Sequence, residues 1–485
     1  MFHGRNEQIR KLHITATQLS KSSKRRKDTR LKQFPNLREA SKQGKTPVTK
    51  TALNFFDNHY KQVFGPEWHA IRLALLSKPK FAALLNNFSD KDTVSEKLKS
   101  QGCQSIQEIY NSELSDIVSS DPTLAENQDI SQQLPKRPVK VEVDEFEELK
   151  VVEKSMSVED AKSRIIDPDE VVIGGGKSSM SMYEFVPSEK IISEEEFLEE
   201  SEYFKSHNPN MPFVKIHENF IEFPKKLDAY IFPEGDFDHF QAPKRLNSGP
   251  FNYYCLDLAS IIPVLMLDLK SGDHLLDLCS GPGGKSLVAM QTLKPAKIVC
   301  NDVEHSRVQR VKHVMQSFLL DKYNQRLGID VLNFSRRDGV KCYEYFEEQF
   351  DKVLCDVPCF TDRHTIFNEE GNLFQTHRSK ERLKMPELQA QLLQSAILCT
   401  KPGGTIVYAT CTLSPIQNDG VVSLALKQIW EETKIDMAIC DLSKAILPLK
   451  PMLKFAQNTR FGQLVIPQIA QNYGPMYFAK LKRIN

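Results

Sequence analysis

No run of 18 or more apolar residues occurs in the 485-residue chain, which argues against a membrane-spanning helix. Its ten cysteines include no C-x-x-C pair and no Cys/His cluster at zinc-ligand spacing, so no metal is expected. Several of them (Cys279, Cys300, Cys355, Cys399) fall in apolar segments, where a cysteine acts as a small buried side chain. Unpaired thiols of that kind suit a reducing compartment. Acid is nearly absent from residues 1–50, where Glu7, Asp28 and Glu39 face fourteen Lys and Arg. That composition suits an organellar import presequence, although Lys24-Arg-Arg-Lys27 also fits a nuclear signal or a phosphate-binding arm.

The net charge of +1 hides an opposite block, because residues 101–204 carry about −16. Residues 104–209 are poor in aromatics, with Asp-Pro turns at Asp121 and Asp167 and a Gly-Gly-Gly run from Gly174. A largely disordered linker is expected there, with a transient helix around 193–204. Before it, residues 51–103 read as a small helical lobe. Leu53, Phe55, Phe56, Tyr60, Val63 and Phe64 recur at three- and four-residue steps, and Ile71, Leu73, Leu75, Leu76, Phe81, Leu84 and Leu85 continue the pattern after Pro66.

A catalytic domain is expected over 210–485. Short apolar strands at 274–278, 297–301, 330–334, 350–356 and 404–410 alternate with helical stretches such as Val308-x-x-Val311-x-x-Val314. That alternation predicts a doubly wound, Rossmann-like α/β sheet, mostly parallel, with an antiparallel last strand at 475–482. Ligands of such sheets bind outside the carboxyl ends of the strands.

Neither common nucleotide fingerprint is complete. Gly281, Gly283 and Gly284 follow the first strand and open a helix, which lets backbone approach a cofactor and offers free N–H groups to an anion. Gly284-Lys285-Ser286 mimics the end of a P-loop, but the first glycine of that motif would fall on Cys279. The dinucleotide spacing would need glycine where Ser286 stands. Asp302 ends the second strand, with Arg307 on the helix that follows. An acid there accepts ribose hydroxyls from NAD or S-adenosylmethionine equally well. Asp338-Gly339 fits either an adenine edge or a plain turn.

Two cysteines complete the pattern, one in Asp356-Val-Pro-Cys359 and one in Thr410-Cys411-Thr412. Singly, each reads more readily as a buried structural thiol. Together at strand ends beside a cofactor turn they suggest covalent chemistry on an unreactive ring carbon, such as methylation of cytosine at carbon 5. A thiolate adds at carbon 6, carbon 5 becomes nucleophilic, and its proton must leave before the thiol is expelled. Asp356 is placed to hydrogen-bond the pyrimidine N3 and amino group.

With these motifs, and with Lys401-Pro-Gly-Gly404 and Tyr408-Ala-Thr-Cys411, the chain resembles the Sun-domain (NSUN) RNA 5-methylcytosine methyltransferases from about residue 210 onward. The resemblance implies a class I methyltransferase fold using S-adenosylmethionine. Gly283, Gly284, Lys285, Asp302, Arg307, Asp338, Gly339 and Asp356 would hold the cofactor. It implies Cys411 as the nucleophile and Cys359 as the thiol that assists product release. DNA cytosine methyltransferases attack with the Pro-Cys cysteine instead, so Thr410-Cys411 points to RNA.

Within the family, the segments Asp356–His364, Leu464-Val-Ile-Pro467 and Gly474-Pro-Met-Tyr-Phe478 are similar to the mitochondrial ribosomal-RNA branch. That likeness implies a ribosomal RNA substrate, the mitochondrial matrix, and an mTERF-type helical-repeat partner. Departures from the family are Gly281 for a usual alanine, Thr412 for a common serine, and Phe360 where a small hydroxyl residue normally follows the cysteine. The target base must be unstacked or single-stranded to be attacked. Arg363, His364, His377, Arg378, Lys380, Arg382 and Lys384 are expected to contact phosphates nearby. Two rivals stay open: the same chemistry on nuclear or cytosolic RNA, and a ribosome-assembly factor that acts mainly by binding.

Overall fold

Apolar strands alternating with amphipathic helices build a nine-stranded sheet in the computed structural model, which describes residues 47–121, 214–245, 249–319, 331–457 and 459–485. Residues 1–46 of the expected presequence, residues 122–209 of the expected linker with its helix at 193–204, and residues 210–213 of the expected catalytic domain lie outside the described residues.

The N-terminal part runs α1 (Val48–Phe64), α2 (Trp68–Leu76), β1 (Ala82–Leu85), α3 (Lys91–Ser100), β2 (Gln104–Ser105) and α4 (Ile106–Ser120). The expected helical pattern holds for α1, whose Ala52, Phe56 and Tyr60 are buried, and it ends at Gly65 with a φ of 54°. Because α1 starts at Val48, the expected presequence boundary at 50 cuts into its first turn. Phe81, Leu84 and Leu85 do not extend the helical pattern, since Ala82–Leu85 is a strand buried along its whole length. Pro79 bars a continuing helix, and a four-residue apolar run has no period to distinguish strand from helix.

The expected linker also begins too early. Residues 106–120 are a helix capped by Ser105, which accepts the Glu108 N–H, and anchored by Tyr110, whose hydroxyl donates to the Ile221 carbonyl at 2.9 Å. Its acidic outer face masked a buried stripe at Ile106 and Tyr110.

The remaining chain supplies β3 (Val214–His217), β4 (Ala229–Ile231), β5 (Tyr253–Leu256), β6 (His274–Asp277), α5 (Gly284–Gln291), β7 (Lys297–Asn301), α6 (His305–Phe318), β8 (Leu332–Ser335) and β9 (Phe350–Asp356). It ends with α7 (Met385–Cys399), β10 (Thr400–Thr410), α8 (Val421–Glu432), β11 (Met437–Asp441), β12 (Gln463–Val465) and β13 (Met476–Arg483).

The large sheet is ordered β3-β11-β13-β10-β9-β6-β7-β8, with β12 added to β13. Strands β6 to β10 pair in parallel, and β13 lies antiparallel against β10, as expected for a doubly wound sheet with a reversed last strand. Strand order reverses between β6 and β9, and there a crevice opens. Alternate residues face opposite layers: Leu275, Ile298 and Leu354 pack on one side, Leu276, Val299 and Val353 on the other. The second layer includes α7, α8 and the aromatic face of α1.

A four-stranded antiparallel sheet, β2-β4-β1-β5, joins the N-terminal part to residues 229–256. The expected division at 210 therefore separates strands that pair in one sheet. Asn86 ties this sheet to the main domain. Its amide donates to the Phe251 and Phe318 carbonyls at 2.7 and 2.8 Å, and its oxygen accepts from Phe88 N and Gln291 Nε2. Asn86→Leu would leave four partners, two of them fully buried, without its hydrogen bonds, and a loss of about 3 kcal/mol is expected in urea unfolding.

Candidate active site

The turn after β6 is shaped by backbone that no side chain crowds. Gly283 holds a φ of 108°, and a Cβ there would press on Val311 at 3.3 Å. Asn301, at the end of β7, pins the turn by donating to the Leu278 and Arg337 carbonyls at 3.0 and 3.1 Å and accepting Arg337 N–H at 3.0 Å. Three strand ends are thereby fixed relative to one another.

Asp302 is buried, with one carboxylate oxygen accepting Gly281 N–H at 3.2 Å and the other Glu304 N–H at 3.0 Å. This contact explains glycine at 281: a Cβ would sit 2.7 Å from the Asp302 Oδ2 and 2.9 Å from the Arg307 Cβ. The Arg307 side chain leads from that contact to an exposed ion pair with Glu304 at 3.3 Å. Asp338 accepts Val340 N–H at 3.1 Å and so starts the turn after β8. Gly339 beside it lies where a Cβ would meet Leu392 at 2.6 Å. Buried Asp277 accepts a hydrogen bond from Ser286, and burial pushes its carboxyl up to about 7.

The candidate reacting groups meet where strand order reverses. Lys285, one residue into α5, donates to Asp356 at the end of β9 at 2.7 Å, bridging the two strands. Burial pulls the ammonium down, but the Asp356 carboxylate outweighs it and the net shift is upward. Beyond Asp356 and Thr410, the Cys359 and Cys411 sulfurs lie 3.3 Å apart, and Cys359 Sγ also accepts the Cys411 N–H at 3.3 Å. The Cys411 thiol is held well above its ordinary value by the hydrogen bond to Cys359, then by burial and the Cys359 and Asp356 charges, with Lys285 opposing. In the resting protein Cys411 is therefore a neutral thiol at pH 7.

Phe360 turns its ring into the α1 interface, edge-on to Phe55 at 6.1 Å and Phe374 at 5.7 Å. Sequence reading missed Asn418, which brackets Cys411: it accepts Thr410 Oγ1–H at 2.6 Å and donates to the Thr412 carbonyl at 3.0 Å. It sits in a π-helical turn, Ile416–Gly420, a distortion often found at functional sites. Only that turn's nearness to Cys411 in sequence marked it.

The basic loop divides. His364, His377, Lys380 and Lys384 are exposed. Arg378 pairs with Glu381, and Arg382 lies 4.7 Å over the Phe374 ring. Arg363 is not placed for phosphate. Its guanidinium donates to the carbonyls of Ala74, Leu75, Ser77 and Gly474 and to Asn472 Oδ1, at 2.8–3.4 Å, closing the C-terminal end of α2. Free carbonyls at a helix end outcompete solvent for a planar donor fork.

Residues 264–482 match the family described as 16S rRNA methyltransferase RsmB/F. The chain is 31% identical over 440 residues to the 5-cytosine rRNA methyltransferase NSUN4 of Xenopus laevis, covering 91% of this chain and 92% of that one. It is 32% identical to the 5-cytosine rRNA methyltransferase nsun-4 of Caenorhabditis elegans, covering 93% and 97%. A mitochondrial tRNA (cytosine(34)-C(5))-methyltransferase of Mus musculus is 33% identical over 54% of this chain and 72% of its own length.

Arg363→Met should lower stability by about 3 kcal/mol in urea unfolding through its abandoned acceptors. The salt dependence of RNA binding should stay unchanged, whereas a lost phosphate contact would reduce the slope by about one.

Proposed function

Because the chain belongs to the Sun-domain (NSUN) family of RNA 5-methylcytosine methyltransferases, we propose that it methylates carbon 5 of a cytosine in mitochondrial small-subunit ribosomal RNA, using S-adenosylmethionine. One observation carries the chemistry: two sulfurs 3.3 Å apart beside a Lys285–Asp356 ion pair at the point where strand order reverses.

The residues present fit the cofactor. Gly283 and Gly284 leave backbone N–H groups at the start of α5 open to a carboxylate, with Lys285 beside them. Asp302 is fixed by two backbone donors yet keeps lone pairs for ribose hydroxyls. Arg307 and the Asp338-Gly339 turn border the nucleoside side. When bound, the cofactor supplies an electrophilic methyl group.

Cys411 loses its proton to solvent, and its sulfur bonds carbon 6 of an unstacked cytosine. Asp356, steadied by Lys285, hydrogen-bonds the pyrimidine edge as the ring gains electron density. Once carbon 5 carries the methyl group, Cys359 promotes loss of the carbon 5 proton, and the carbon 6–sulfur bond breaks. The exposed His364, His377, Lys380 and Lys384 supply charge for nearby phosphates.

The mitochondrial matrix and an mTERF-type partner belong to the same proposal. The names of the relatives and the basic residues 1–50 support the compartment. Likeness to the ribosomal-RNA branch supports the partner. Import into isolated mitochondria with removal of an N-terminal peptide, together with bisulfite sequencing of organellar and cytosolic RNA after depletion, tests both substrate and location.

Cys411→Ser should lower methyl transfer by more than about a thousandfold. Cys359→Ala should instead accumulate a protein–RNA adduct that survives a denaturing gel. Identical behaviour of the two variants, without trapped RNA, contradicts this division of roles between the thiols. Since Cys411 is held as a neutral thiol, its reactive fraction grows with pH below its pKa. kcat/KM should rise about tenfold per unit from about pH 6.5 to 8.5.

A further inference from the structure

The nucleophile sits on backbone gripped from two sides. Asn418 is one grip, and the other reaches Cys411 from a helix more than 300 residues earlier in the chain. Asp362 opens the short helix Asp362–Thr365, three residues after Cys359, directly after Thr361 with its left-handed φ of 49°. It is fully buried, and both its oxygens are engaged. Oδ1 accepts Thr412 Oγ1–H at 2.8 Å, and Oδ2 accepts Leu413 N–H at 2.8 Å and the Tyr60 hydroxyl at 2.9 Å. The Tyr60 hydroxyl also lies 3.2 Å from Thr412 Oγ1. Two of the three donors to this carboxylate thus come from the residues immediately following Cys411.

Tyr60 is placed by packing. Its ring stacks on Phe56 at 5.1 Å and meets Trp68 edge-on at 5.3 Å, while Phe55 and Phe360 extend the same aromatic interface. Phenylalanine would fill that space equally well. The hydroxyl is needed only for the polar contacts, and a buried hydroxyl without partners is costly. Burial raises the Asp362 carboxyl to about 6, with Leu413, Thr412 and Tyr60 pulling it back, so it is charged at neutral pH.

We propose that Tyr60 and Asp362 are positioning residues for Cys411: α1 fixes the Thr412–Leu413 backbone and thereby aims the nucleophilic sulfur at carbon 6 of the base. The proposal rests on the assignment of Cys411 as nucleophile. A misplacement of about 1 Å in a reacting atom costs on the order of a hundredfold in rate.

The ranking of variants follows from the donors. Tyr60→Phe removes one of three. Asp362→Asn keeps one oxygen for Leu413 N–H and Tyr60, while its amide donates to a Thr412 hydroxyl that is free to rotate. Asp362→Ala removes everything.

The full-length Cys359→Ala protein, given S-adenosylmethionine and an in vitro transcript of mitochondrial small-subunit ribosomal RNA, reports the attack alone through the rate of adduct formation. Adding Tyr60→Phe should slow that rate about tenfold and Asp362→Ala about a hundredfold, with Asp362→Asn restoring most of the loss. Dissociation constants for RNA and cofactor should stay within about twofold, as should the folded fraction, because no binding group is touched. An adduct rate unchanged by Tyr60→Phe, or one that falls only with the folded fraction, overturns the proposal. The same comparison on single-turnover methyl transfer with Cys359 intact decides it without the trap. Methyl transfer that persists after Cys411→Ala defeats the nucleophile assignment instead, a separate result.

Discussion

The register of β9 against β10 governs the site. Asp356 pairs with Ala409 across two parallel strands, so the chain leaves both at the same level and the two sulfurs come together a few residues later. Parallel strands advance about 3.3 Å per residue, and a slip of one residue would separate the thiols and reverse the faces of every neighbouring side chain. Both faces of these strands are buried: Val353 and Cys355 on β9, like Ile406 and Tyr408 on β10, point into the layer beneath α7 and α8, while Leu354 and Val407 face the opposite layer.

Charge at the crevice follows from the same alignment. Asp277, Asp302 and Asp356 end three neighbouring strands, with Lys285 as the nearby cation. The excess of acid favours a cationic ligand such as a sulfonium. Asp356 from the same set helps hold Cys411 protonated. The Asp356 carboxylate thus adds negative charge to the crevice and keeps the Cys411 thiol neutral, and Lys285 opposes both effects.

Strand ends were legible in the sequence because each is marked locally: an apolar run, then Asp, Gly or Pro at a turn. The glycine turn at 281–284, Asp302, Asp338 and Asp356 were placed on that ground, and the structure puts each at or just beyond a strand's carboxyl end. Ala82–Leu85 was not legible as a strand, since four apolar residues carry no period. The helix at 106–120 was hidden because its acidic face resembled a solvated linker. Arg363 illustrates a different limit. Its basic neighbours suggested phosphate, while the helix end that captures it lies almost 290 residues earlier. Asp362 escaped notice for the same reason, since the fold alone brings Tyr60, Thr412 and Leu413 to it.

Gly281 and Phe360, two of the departures from the family pattern, acquire physical reasons of opposite kinds. At Gly281 a methyl group is excluded by Asp302 and Arg307. At Phe360 a large ring is recruited, because Phe55 and Phe374 offer an aromatic wall.

That wall also bears on the proposed removal of the basic N-terminal residues. Ala52 and Phe56 are wholly enclosed, and the first turn of α1 begins at Val48. A processing peptidase that trims this polypeptide has its latest permissible scission before that turn. Cutting later would unroof greasy surface beneath the loop bearing Cys411, and the shortened product would be prone to clump.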